Sequence, residues 1–147
     1  MRAIVTDLHA RLTAALSVPV LLPEERDVPA QAAPLDAQGR PMVGGGERGL
    51  GAYLAQHPGG YVQLEEAQGI TDDGVIAVWW VPVAAVAPTA QAADALAGEV
   101  RRVLCGSARD PGPYLPRLPD SPRAIAQGAY LCRPSYECLA IDGTLAV

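Results

Sequence analysis

Apolar positions along the first sixteen residues recur with helical spacing. Ile4, Val5, Leu8, Leu12, Ala15 and Leu16 fall on one stripe, with Arg2, Asp7 and Arg11 outside it, which predicts an amphipathic helix over Arg2–Leu16. Ser17 and Pro19 end it, because proline disfavours helical geometry in the residue before it. The apolar run Val18–Leu22 then reads as a strand near a sheet edge, where the N–H missing at Pro19 is tolerated. From Pro23 to Gly60 the pattern lapses. Pro23, Pro29, Pro34, Pro41 and Pro58 and the run Gly44-Gly45-Gly46 mark a long irregular loop, interrupted by one short helix around Glu47–Gln56. Such a loop is expected to order only against a neighbouring molecule.

Periodicity resumes at Gly60. Tyr61–Glu66 and Val75–Val83 read as strands, joined by Gln68–Gly74, whose Asp73-Gly74 is a turn dipeptide of an antiparallel hairpin. In the second strand Val75, Ala77, Trp79 and Val81 point one way and Ile76, Val78, Trp80 and Pro82 the other. Both faces are apolar, as in a central strand covered on two sides, by the protein's own elements or by a neighbouring subunit. The clearest helix follows, between an N-cap at Thr89 and a terminating Gly106, with Ala93, Leu96, Ala97, Val100, Val103 and Leu104 on its apolar face. A second breaker-rich loop, Ser107–Pro122, precedes a final strand region over Ala129–Ile141. The whole predicts one α+β domain over 1–147: a small antiparallel or mixed sheet with two helices packed on one face and long irregular loops.

Composition narrows the function classes. Of 147 residues half are hydrophobic and 18% charged, which excludes the disordered class. The formal net charge is -5, a poor match for gripping nucleic-acid backbones. Three cysteines, Cys105, Cys132 and Cys138, are too few for a disulfide scaffold and point to a reducing compartment. The first residues, MRAIVTDLHARL, lack the apolar core of a signal peptide, and the most apolar stretch, Val75–Ala87, is about half of a bilayer span.

Candidate chemistry is sparse. Gly44-x-Gly46-x-x-Gly49 matches the dinucleotide fingerprint as a string, but Arg40-Pro41-Met42-Val43 before it is no buried strand. A Walker loop is excluded because the chain contains no lysine. Cys132 and Cys138 lie about 20 Å apart if the last strand is continuous, beyond any disulfide, and opposite one another if Pro134-Ser135 is a turn. Neither they nor His9 and His57 show zinc-ligand spacing, and no nucleophile elbow surrounds Ser107 or Ser135. No cofactor, metal or catalytic residue is therefore assigned. The acidic pairs Glu24-Glu25, Glu65-Glu66 and Asp72-Asp73 read first as solvated edge charges. Trp79-Trp80 is more informative: one indole meets the helices, and the other needs a second layer that a single copy does not supply. Trp79, Trp80, Ile76 and Val78 are thus candidate subunit-contact residues.

This order of elements resembles the tail terminator (tail completion) proteins of tailed bacteriophages and gene transfer agents. The residues carrying the likeness are Ile4–Leu16, Val18–Leu22, Tyr61–Leu64, Val75–Val83 running into Ala90–Leu104, and Tyr130–Ile141. The resemblance implies a structural, non-enzymatic virion protein forming a ring, usually of six subunits, that caps the tail tube at the head–tail junction. Implied partners are other copies of the chain, the tail tube protein, a neck or head-completion protein and, in a contractile tail, the sheath protein. DNA would pass through without specific binding, and no membrane is involved. Assembly would occur in the bacterial host cytoplasm. On this view either Glu24, Glu25 and Asp27 or Asp72 and Asp73 face the lumen. A head-completion or neck connector fits the same pattern. From another class, so does a small bacterial ligand-binding domain or enzyme using the loops around His57 and Ser107.

Overall fold

The computed structural model describes residues 2–42 and 48–146; the Gly44-Gly45-Gly46 run and the expected helix start at Glu47 lie outside them. Helix α1 (Arg2–Ala15) buries Ile4, Val5, Leu8 and Leu12, while Ala15, at the end of the predicted stripe, is exposed. The edge strand β1 keeps only Val20–Leu21 of the apolar run and pairs in parallel with β2 (Tyr61–Leu64). Between them lie two short 3-10 turns, Pro23–Glu25 and Pro29–Gln31, and helix α2 (Leu50–Gln56). Part of the long loop is therefore packed within this chain, against the expectation that it orders only on a neighbour. Ala52, Tyr53 and Leu54 of α2 are buried, and Tyr53 and Leu54 close a small cluster with Leu21, Tyr61, Val86 and Ala129.

The centre of the sheet is β4, which runs Ile76–Ala87 rather than stopping at Val83. Alanine is a weak strand former, yet here Ala84, Ala85 and Ala87 are buried and held by neighbouring ladders, so context overrides propensity. On one side β4 pairs with β2 along Val83–Val86 and with β3 (Gln68–Asp72) along Ala77–Trp80. The segment expected to be a connector is thus itself a strand, the partner arm of the hairpin that Asp73 and Gly74 close. On its other side β4 pairs with β7 (Ala129–Cys132) and β8 (Ser135–Ile141): the final strand region is interrupted at Arg133-Pro134, and both parts run antiparallel to β4.

Helix α3 (Ala90–Cys105) has the expected ends: the Thr89 hydroxyl accepts the N–H of Ala92, and Gly106 sits at φ 65°. The second breaker-rich loop contains β5 (Leu115–Leu118), which pairs with β8, and β6 (Arg123–Ala126) then pairs with β7. Strand β9 (Thr144–Leu145) folds back on β8. The architecture is α+β, a mixed sheet of nine strands among the described residues.

Alternation along β4 sorts the sheet into two faces. Val81, Val83, Ala85 and Ala87 point inward to the main core with α1, α3, Tyr114, Tyr136 and Cys138. Ile76, Val78, Trp80, Pro82, Ala84 and Val86 point outward. The outward face is covered by α2 only at its Val86 end. Among the described residues no helix is long and apolar enough to cross a membrane.

Candidate interaction surface

Among the described residues, no helix covers the other half of the outward face. Val78 stands opposite Leu139, Ile76 opposite Ile141 and Trp80 opposite Glu137, so each pair shares one side of the sheet. Leu115, paired with Glu137 from β5, extends the same surface. Ile76, Leu115, Leu139 and Ile141 are between 41% and 54% exposed, large values for branched aliphatic side chains.

One carboxylate lies within this surface, and its charge is consumed. Glu137 Oε2 accepts the Trp80 indole N–H at 2.9 Å and the Arg117 Nε at 2.8 Å, while Arg117 Nη2 donates to Oε1 at 2.9 Å. The bidentate guanidinium, with the indole, holds the Glu137 carboxyl below its usual range, against the upward push of desolvation. Trp80 is thereby fixed by its polar end on a neutral apolar surface of an acidic chain.

The structure separates the two tryptophans. Trp79 lies on the inward face, packed against the core and over Gly69, with its indole N–H buried and without a partner among the described residues. Of the four contact candidates, Ile76, Val78 and Trp80 therefore share the open surface and Trp79 does not. Glu137, Leu139 and Ile141 were not singled out from sequence, although Ser135–Ile141 alternates plainly, with Tyr136, Cys138 and Ala140 buried between them. Arg117 carried no such signal, because a bulge between Pro116 and Leu118 sets its register.

The sheet edges are guarded. Strands β3, β5 and β6 each contain a register shift, and β5 also carries Pro116. Bulges and prolines discourage strand-to-strand association with another chain. The free surface that invites a partner is the face, not the edge.

The acidic candidates lie in two places. Glu24 binds Arg2 through both oxygens (2.7 and 2.8 Å), Arg2 also reaches Glu66 at 2.9 Å, and Glu25 accepts the Leu22 N–H. At the hairpin tip Asp72 accepts the Gly74 N–H and Asp73 those of Val75 and Ile76, which holds the Asp73 carboxyl below its usual range. Asp27 is exposed.

The residues weighed for catalysis are dispersed. His57 packs on the Tyr53 ring at 4.6 Å, Ser107 serves a turn by accepting the Asp110 N–H, and Ser135 sits in β8 opposite Pro82. Cys132 and Cys138 lie opposite Ala85 and Trp79, six residues apart along β4, about 20 Å, and all three cysteines are free. Among the described residues no three potential metal ligands converge. A groove of about 380 Å³ runs between α3 and β5, with Arg101 and Asp94 on one wall and Pro116 and Pro119 on the other, floored by Tyr136 and Cys132. Burial pushes the Tyr136 phenol and the Cys132 thiol upward, so neither is a ready nucleophile there. Neither family models nor curated proteins match the sequence.

Proposed function

We propose that this chain is a structural ring subunit of the tail-terminator kind, self-associating through the bare outward face of the β4–β8 sheet. The observation that supports this most is the surface built by Val78, Leu139, Ile76 and Ile141 around a tryptophan anchored on Glu137 and Arg117. A pre-fixed aromatic beside an arginine, ringed by aliphatic side chains, is the composition of an interface hot spot. The dispersal of the polar candidates supports a structural role over an enzymatic one, since catalysis needs them converged.

In this reading the ring, of six copies, caps the tail tube at the head–tail junction of the virion, ends its polymerisation and presents a surface to the neck protein. Six copies at -5 each carry a formal charge of -30, which would let DNA slide through without sticking. The lumen would be lined by the Glu24–Asp27 turn or by the Asp72–Asp73 tip. The test is to add the purified chain to polymerising tail tube protein. Tubes that stop growing and carry a density at one end support the proposal; unchanged tube length and no co-sedimentation overturn it.

A further inference from the structure

An apolar face that meets the same face of another copy makes a two-fold dimer, whereas a ring needs a different surface on the neighbour to receive it. Resting on the ring reading above, we infer that this second surface is the arm Val28–Met42, which seats on the bare β4–β8 face of the next copy.

Large apolar side chains exposed outside the face and its tip fall in three places among the described residues: Val28, Leu35 and Met42 on the arm, Ile70 on β3, and Leu118 and Ile125 on the β5–β6 edge. The strands β3, β5 and β6 are each bulged, and β5 carries Pro116, which leaves the arm. The arm is also preformed. Leu35 and Pro41 bridge as in a small hairpin, the Met42 N–H donates to Pro34 at 2.8 Å, and Asp36 Oδ1 accepts the N–H groups of Gln38 and Arg40, both at 2.9 Å. A rigid knob loses little freedom on docking.

The arm's one cation, Arg40, pairs through Nε with Asp36 at 3.4 Å and keeps 74% of its side chain exposed, so it sits at the arm's surface. The tip of the bare face ends in Asp72, Asp73 and Asp142, none of which makes an ion pair among the described residues. If the tip meets the arm, the Glu24–Asp27 turn is left to line the lumen.

The experiment compares assembly of the full chain with that of Leu35→Asp/Met42→Asp and of Val78→Arg, each checked for an unchanged melting temperature. It is joined by disulfide trapping between Leu35→Cys and Val78→Cys proteins in a Cys105→Ala background. Both charged variants should raise the concentration needed for half-assembly by about tenfold or more. Trapping should give arm-to-face pairs on mixing and no pairs from the Val78→Cys protein alone. Loss of assembly in Val78→Arg but not in the arm variant, or Val78-to-Val78 trapping, overturns the arm and leaves the bare face as an interface. Undiminished assembly in Val78→Arg, or a wild-type chain that never assembles, overturns both.

Discussion

Trp80 and Glu137 face one another across the β4–β8 ladder, and the indole N–H reaches the carboxylate at 2.9 Å. Trp79, the preceding residue, points the other way, and its N–H has no partner among the described residues. One indole is spent on the core and the other is held at the surface. Replacing Trp80 by Ala should therefore cost self-association about 2 kcal/mol or more while changing the fold little. Sedimentation velocity set against thermal melting separates the two effects.

The clamp on Glu137 also makes stability pH-dependent. Its carboxyl is held below the usual range by Arg117 first and by Trp80 second. A lowered folded-state value means the contribution is complete above about pH 5 and is lost as the pH falls through the usual glutamate range, about 4.3, toward the depressed value. Glu137→Gln should flatten the melting-temperature profile below pH 5. A profile identical to the wild type would show that the clamp contributes nothing.

Tyr114 is fully buried, and its hydroxyl donates to Asp7 Oδ2 at 2.7 Å, the oxygen that also accepts Arg11 Nε at 2.8 Å. This bond ties α1 to the segment after α3. Tyr114→Phe should destabilise the chain by about 1–2 kcal/mol, read from the urea midpoint with an unchanged m-value.

Gly60 turns the chain into β2 at φ 86°, and a Cβ there would lie 2.3 Å from the Val86 carbonyl oxygen. Gly60→Ala should cost about 2 kcal/mol or more. Gly128, at φ 73° with open space around it, should lose only about 1 kcal/mol on the same change. Denaturation midpoints of the two variants give the comparison.

Cys138 is buried and its thiol is pushed up to about 11; Cys132 is also buried and raised. Neither should be alkylated in the native protein at pH 8, and both should react on unfolding. Mass spectrometry after timed iodoacetamide treatment reads this directly.

Much of the fold was legible because its strongest signals are local. The stripe of α1, the caps of α3 and the two-faced pattern of β4 are each written within a dozen or so residues. What escaped depends on distant partners. Gln68–Asp72 has only Ile70-Thr71 as strand-forming residues, between Gly69 and Asp72, and is held as a strand by pairing with β4 along Ala77–Trp80. Leu115–Leu118, broken by proline, is a strand only against β8. The candidate surface was half legible: alternation assigned Ile76, Val78 and Trp80 to one side, but their partners Leu139, Ile141 and Glu137 required the register of β8. Arg117 required a further strand beyond that.

The central claim is that the bare β4–β8 face joins copies of the chain into a closed ring. The most direct test is the native mass of the purified protein, measured beside the Val78→Arg variant. The account predicts about 92 kDa for the wild type, six copies of the 15.3 kDa chain, and a folded 15.3 kDa monomer for the variant. A wild type that stays at 15.3 kDa at every concentration reached, or a variant that still forms the full ring, would contradict it.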